Sequence, residues 1–240
     1  MTATLIACSH GTRSADGRAA ISDLLDQVRT LLPDVRVEEA FVDVQLPEIA
    51  DVVERELARS DDATSVVVPV LLSAGYHTRV DIAGAVGPYP SRAVATPALG
   101  PHDLLALVLE SRLADVGSGG ADAVVLAAAG SSDPAAAVAV TEMARLLERC
   151  ILSPVTVGFA AGAEPRIPDA IAAARAAGAE RVVAASYVLA PGHFHDVIGR
   201  AGADVVTAPL APDMRIAALI VERYRAAAAI LSRDVFARAD

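Results

Sequence analysis

The sequence predicts an α/β protein of two similar lobes, each a four-stranded parallel sheet flanked by helices, with a cleft between the lobes. Three observations predict it. Strand-like and helix-like runs alternate along the chain, a Gly117-Ser118-Gly119-Gly120 linker divides it near the middle, and the pattern then starts again. Residues 4–8 are a short apolar strand. Residues 19–32 carry Ile21, Leu24, Leu25, Val28, Leu31 and Leu32 at helical spacing, and Pro33 ends that helix. Residues 35–42 alternate as a strand, and Pro47 opens a second helix to about Arg59, with Ile49, Val52, Val53 and Leu57 on one side. The β-branched run 65–72 suits a strand buried on both faces. A short helix near 80–86, a strand at 93–96 and a helix over 101–116, with Pro101 in its first turn, complete the first set. In the second half, 124–128 echoes 5–9 and 138–147 echoes the first helix. Phe159 with Pro165, Ile167 and Asp169 matches Phe41 with Pro47, Ile49 and Asp51 at one constant offset, and 182–189 repeats 66–73. A strand at 205–208 and a helix from about 212 to 231 close the second set. The duplication places one lobe at 1–118 and its repeat at 121–240.

Composition narrows the function classes. The net charge is −10 and all 20 basic residues are Arg. An acidic chain with few aromatics lacks the basic face that nucleic acid needs, and the absence of Lys removes Schiff-base and P-loop lysine chemistry. No apolar run approaches the roughly 20 residues that span a bilayer. The N-terminus has no basic region ahead of its apolar residues and does not read as a signal peptide, so a cytoplasmic location is expected. Cys8 and Cys150 are too few and too far apart for a disulfide framework or a thiolate metal site.

In open parallel sheets, ligands bind beyond the carboxyl ends of the strands. The loops beginning at Ser9, Phe41, Leu72 and Pro97 are expected to line one wall of the cleft, and those beginning at Ala129, Phe159, Leu189 and Pro209 the other. His10 directly follows the first strand in Ser9-His10-Gly11-Thr12-Arg13, and His77 follows the third in Ser73-Ala74-Gly75-Tyr76-His77-Thr78-Arg79. Either one alone reads as a loop histidine bonded to backbone. Two at equivalent strand ends, each followed by Arg within three residues, point to function, because a neutral imidazole can bind a borderline metal or accept a proton. Asp43, at the end of the second strand, is either a solvated turn acid or a transient metal ligand and proton acceptor. Arg13 and Arg79 suit carboxylate clamps, whose forked hydrogen bonds would hold an anionic ligand on an acidic chain. Gly75 serves the turn and would let a flat ligand approach the backbone.

The second lobe offers Ala128-Ala129-Gly130-Ser131-Ser132 in place of the first motif, so its imidazole is gone. Its Pro191-Gly192-His193-Phe194-His195 has a register against His77 that is ambiguous by one or two residues. His193 and His195 alternate as metal ligands sometimes do, though a lone H-x-H is a weak signal. His102, beside Pro101, reads as a helix-start residue. Chemistry is therefore expected in the first lobe.

These motifs resemble the sirohydrochlorin chelatase family, the class II chelatases that load cobalt or iron into sirohydrochlorin, in their long two-lobe form. The resemblance rests on three segments in order. They are Ser9–Arg13 (Ser-His-Gly-Thr-Arg), Ala40-Phe41-Val42-Asp43 followed by Pro47 and Ile49, and Val68-Pro69-Val70-Leu71-Leu72-Ser73-Ala74-Gly75-Tyr76-His77 followed by Asp81-Ile82. It implies that His10 is proton acceptor and metal ligand, that His77 is the second metal ligand, and that Leu72, Ser73, Ala74, Gly75 and Tyr76 lie against the macrocycle. It also implies Fe2+ or Co2+ as a substrate, a small tetrapyrrole as the partner, no organic cofactor, no nucleic-acid or membrane partner, and a monomer of pseudo-dimeric lobes. The family often has Glu where Asp43 stands and an acid where Leu46 stands. Two imidazoles suit an exchangeable metal better than a closed thiolate site, which would hold it too tightly to release it. Two competing readings are a non-catalytic metal or tetrapyrrole carrier, and a histidine phosphatase. The latter normally carries Arg immediately before its nucleophilic His, where this chain has Ser9.

Overall fold

A computed structural model describes residues 2–236 apart from 74, 76 and 77, and leaves the side chains of 78, 79 and 233–236 undescribed. The first half runs β1 (Thr4–Ser9), α1 (Ala15–Leu31), β2 (Val37–Phe41), α2 (Ile49–Leu57), β3 (Ser65–Pro69), a π-helical turn (Thr78–Ile82), α3 (Ala83–Val86), β4 (Ala93–Ala95) and α4 (Asp103–Asp115). The second runs β5 (Ala123–Ala128), α5 (Pro134–Glu148), β6 (Val155–Phe159), α6 (Ile167–Ala176), β7 (Val182–Tyr187), α7 (His193–Gly199), β8 (Val205–Val206) and α8 (Met214–Phe236). The strands form two four-stranded sheets of order β2-β1-β3-β4 and β6-β5-β7-β8, and every pairing is parallel.

The sequence dictates this directly. β1 and β3 are central strands with helices on both faces, so they are predominantly apolar and buried throughout: Leu5–Ser9 and all of Ser65–Pro69 are buried. β3 stops at Pro69, short of the expected Leu72; proline has no N–H of its own to give a neighbouring strand. Helix α2 buries Ile49, Val52, Val53 and Leu57, an i, i+3, i+4, i+8 stripe that packs with Ile6, Cys8, Val67 and Ile82. The matching cluster of the second sheet contains Ile167, Ala170 and Ile171 with Val125, Ala127, Ala184 and Ile198. Pro101 lies outside α4, whose N-cap is His102, with its side chain accepting from the Leu104 N–H at 3.2 Å. Helix α5 begins at Pro134 behind an Asp133 cap rather than near 138.

The chain divides into two compact units. One takes Met1–Arg13, Ser22–Leu99 and Ile216–Asp240, and the other takes Ser14–Ile21 and Gly100–Arg215. The first unit therefore holds the β1–β4 sheet together with most of α8. That helix is tied to the strand edge by the buried Tyr224 hydroxyl, which donates to the Ala3 carbonyl at 2.6 Å. The second holds the β5–β8 sheet with α4, where Arg112 donates to the Pro209 and Leu210 carbonyls at 3.1 Å each. No helix among the described residues is long and apolar enough to cross a membrane.

Candidate functional site at the carboxyl edge of the first sheet

In an order β2-β1-β3-β4 the chain leaves β1 for β2 on one side and then crosses to β3 on the other. The boundary between β1 and β3 is therefore the switch point, the place where open parallel sheets bind ligands at their strand ends. β1 delivers His10 to this point: its last five residues are buried, and His10, the next residue, is exposed. Arg13, three residues on, is exposed as well.

The loop after β1 is fastened to the loop after β2. The Val42 N–H donates to the Ser9 carbonyl at 3.1 Å and the Thr12 N–H to Gln45 Oε1 at 2.7 Å. Gly11 has φ +90°, and a Cβ placed on it would lie 2.4 Å from the Asp43 carbonyl oxygen, so only glycine fits. Asp43 is exposed on this abutting loop, and its Oδ1 accepts from the Val44 N–H at 2.7 Å. The fold thus brings His10, Arg13 and Asp43 onto two loops in contact. Between them the Gln45 N–H donates to the Asp43 carbonyl at 2.6 Å, closing a three-residue γ-turn. Its central residue, Val44, has φ +64°. A β-branched residue there is an outlier costing of order 1–3 kcal/mol.

The segment after β3 lies beside β1. The Val70 N–H donates to the Cys8 carbonyl at 2.7 Å, and the Leu99 N–H to the Leu71 carbonyl at 2.9 Å. Leu72, Ser73 and Gly75 are half-buried there. Ala74, Tyr76 and His77 lie outside the described residues, and Arg79 is described only as backbone within the π-turn. Asp81, in the same turn, is an acid outside the residues that the sequence motifs point to as the site. Burial and, secondarily, the Asp81 charge push the Cys8 thiol up to about 12, which brings that carboxylate into electrostatic reach of the end of β1. Cys8 is thereby an inert thiol beneath the site. The mark of Asp81 in the sequence is its place in the Asp81-Ile82 pair that follows the 68–77 motif. Among the described residues, no group of three or more His, Cys, Asp or Glu side chains is arranged to hold a metal.

The second sheet repeats the scaffold without the chemistry. Gly130 has φ +85° and its Cβ would lie 1.8 Å from the Ala161 carbonyl oxygen. The Ala160 N–H donates to the Ala128 carbonyl at 2.8 Å, and the Ala163 N–H to the Ala161 carbonyl at 2.9 Å around Gly162, φ +67°. Ala129, Ala161 and Gly162 therefore stand where His10, Asp43 and Val44 stand in the first sheet.

The register after β7 is fixed at its two ends. Leu71 and Val188 make equivalent bonds to the Leu99 and Leu210 N–H groups, while Ile82 and Ile198 fill equivalent core positions. The first half holds one residue more between those points, a stretch that includes the π-turn. Gly192 matches Gly75 counted from the strand, and His193 matches His77 counted back from the helix. His195 faces the Thr207 carbonyl through Nε2 at 3.3 Å, where the ring nitrogen must be the donor. That bond holds α7 to the strand edge. His193 is exposed, its ring edge-on to Phe194 with centroids 5.3 Å apart.

Comparison with known proteins follows the same outline. The CbiX family model matches residues 4–116 and again 123–227. No curated protein matches the chain. Among solved structures, SirB from Bacillus subtilis with Fe3+ superposes with a TM-score of 0.82 at 21% identity, over 95% of this chain and 96% of that one. The sirohydrochlorin chelatase SirB from Bacillus subtilis subspecies spizizenii, in complex with cobalt, gives 0.76 at 21% identity, over 94% of each. The multi-domain protein DR2241 from Deinococcus radiodurans, described as structurally similar to chelatases, gives 0.63 at 18%, over 93% of this chain and 55% of that one. At these identities the likeness is one of fold.

Proposed function

Because the chain belongs to the CbiX family, we propose that it is a chelatase that inserts a divalent metal, Fe2+ or Co2+, into sirohydrochlorin. The observation that carries this reading is the placement of His10 at the switch-point end of β1, against the loop that presents Asp43, in the one sheet that keeps both residues. Segment 1–118 is proposed as the lobe that carries the metal site, and 121–240 as its degenerate repeat. The protein would act in the cytoplasm as a monomer, with no organic cofactor and no nucleic-acid or membrane partner.

Insertion requires two pyrrole N–H protons to leave while the metal passes from protein and water ligands to four ring nitrogens. His10 and His77 would hold the incoming metal through imidazole nitrogens and leave its other positions open, so that the ring nitrogens can replace them. As the metal transfers, His10 would accept one pyrrole proton and Asp43 or water the other. A positioned base of this kind is worth roughly 10²–10⁴-fold. Arg13 and Arg79 would bind the carboxylates of the ring periphery, and Leu72, Ser73, Ala74, Gly75 and Tyr76 would lie against its face.

The test is purified protein with sirohydrochlorin and each metal in turn, following the tetrapyrrole absorbance above the uncatalysed rate. His10→Ala and His77→Ala should each lower the rate at least about 100-fold with unchanged circular dichroism. Full activity in either variant removes that residue from the mechanism. Repeated turnover with ring in excess over protein separates an enzyme from a carrier.

A further inference from the structure

The γ-turn at Asp43–Gln45 carries the residue least suited to it. The same turn in the second sheet is built with Gly162, which adopts a left-handed φ freely, whereas the first uses Val44 at φ +64°. The turn therefore does not call for valine; its backbone opposes it. Core packing does not call for it either, because Val44 is 44% exposed. Its position is the remaining explanation. It sits between Asp43 and Gln45, and a Cβ on Gly11 would lie 3.2 Å from the Val44 Cβ, so the valine stands against the glycine that follows His10. Leu46, two residues on, is 76% exposed. Two open aliphatic side chains thus flank the carboxylate on the loop that abuts His10.

We infer that Val44 is a substrate-contacting residue whose isopropyl group seats the apolar face of the macrocycle beside His10 and Asp43. The inference rests on the tetrapyrrole reading above. A planar ring with charged carboxylates at its rim and a hydrocarbon face is the kind of ligand that gains from an aliphatic contact next to the group that takes its proton. A rigid turn makes the contact worth more, since little freedom is lost when the ring arrives. Strain retained in one copy of a turn and relaxed in the other marks where the molecule uses it.

The experiment compares Val44→Gly and Val44→Ala with the wild type. Three quantities are read: thermal midpoint, sirohydrochlorin affinity by metal-free absorbance titration, and kcat and KM for insertion. Val44→Gly should raise Tm by about 2–4 °C as the left-handed strain is released. It should also weaken ring binding about tenfold, equivalent to about 1.4 kcal/mol, with KM rising and kcat moving less. Val44→Ala keeps a side chain on the strained backbone and loses the isopropyl group, so it should show the same loss of affinity with little change in Tm. Ring affinity and KM equal to wild type in both variants would overturn the inference. So would a lower Tm in Val44→Gly, because it would show the valine to be held by packing. Failure of the wild type itself to bind sirohydrochlorin overturns the parent reading, and is distinguished by appearing in every protein tested.

Discussion

Replacing Gly11 by alanine tests the geometry on which the site depends. The new methyl would lie 2.4 Å from the Asp43 carbonyl oxygen, roughly 0.6 Å inside the closest approach that real Cβ atoms show, at a φ of +90° that disfavours any side chain. The obstacle is backbone, so neither loop can give way by a rotamer change. The left-handed conformation costs about 1–2 kcal/mol, and displacing the Asp43 loop raises the total to about 2–4 kcal/mol. For a chain of this size that corresponds to a fall in Tm of roughly 6–12 °C, which still leaves a folded protein at 25 °C. The loss of function should be larger. Moving Asp43 away from His10 by a sizeable fraction of an ångström is the kind of misplacement that costs about 10²-fold. Gly130→Ala provides the control. Its methyl meets the Ala161 carbonyl oxygen at 1.8 Å, so the loss in Tm should be at least as large, yet the turn it disturbs carries no imidazole or carboxylate. Differential scanning calorimetry and insertion rates per folded molecule report the two effects separately. Equal rate losses in both variants, or an unchanged rate in Gly11→Ala, would refute the assignment of the chemistry to the first sheet.

Two further outcomes follow from the contacts. Asp43→Asn keeps an oxygen that can accept from the Val44 N–H, at 2.7 Å in the native turn, and removes only the charge. Tm should therefore change by less than about 2 °C while insertion falls roughly 10–100-fold; an active Asn variant would leave Asp43 a turn-forming residue only. Tyr224→Phe deletes the buried donor to the Ala3 carbonyl, which should lower stability by about 1–2 kcal/mol. A thermal melt should show a fall of about 2–8 °C with insertion unaffected at 25 °C, and an unchanged melt would mean that α8 is held by its apolar contacts alone.

The sheets were legible because buried strands leave an unmistakable composition: Leu5–Ser9 and Val66–Pro69 have no alternation to confuse with a surface. The repeat made the same reading twice, and the family's motifs landed on the strand ends where the topology opens. What escaped was set by backbone chemistry that composition does not record. Phe41-Val42-Asp43-Val44 alternates like a continuing strand, yet the strand ends at Phe41 and Val44 turns left-handed. Val70–Leu72 continues the apolar run of β3, but Pro69 lacks an N–H, and past it single bonds, from Val70 to Cys8 and from Leu99 to Leu71, carry the pairing on. Helix α1 begins at Ala15, four residues before the apolar period is visible, because Ala15–Arg18 is mostly exposed. The register of His193 and His195 was ambiguous for a physical reason as well: a one-residue difference in the loop between strand and helix changes neither the strand before it nor the helix after it.

The duplication also separates what the fold requires from what the chemistry adds. A feature that both sheets keep, after their sequences have diverged, is one that the architecture cannot lose. The glycine after the first strand, the γ-turn it abuts and the bridge from Phe41 to Glu48, repeated from Phe159 to Arg166, all belong to that class. A feature present in one sheet only is dispensable to the fold, since the other sheet stands without it. His10, Asp43, Val44, Gln45 and the π-turn are all of this second kind, with Ala129, Ala161, Gly162, Ala163 and the plain α-helix α7 as their counterparts. The two sheets differ in strand interiors and helices too, but these five differences lie together at the carboxyl edge of one sheet, four of them on the two loops that Gly11 holds together. Dispensability to the fold and convergence on one edge are together what a working site looks like from its own broken copy.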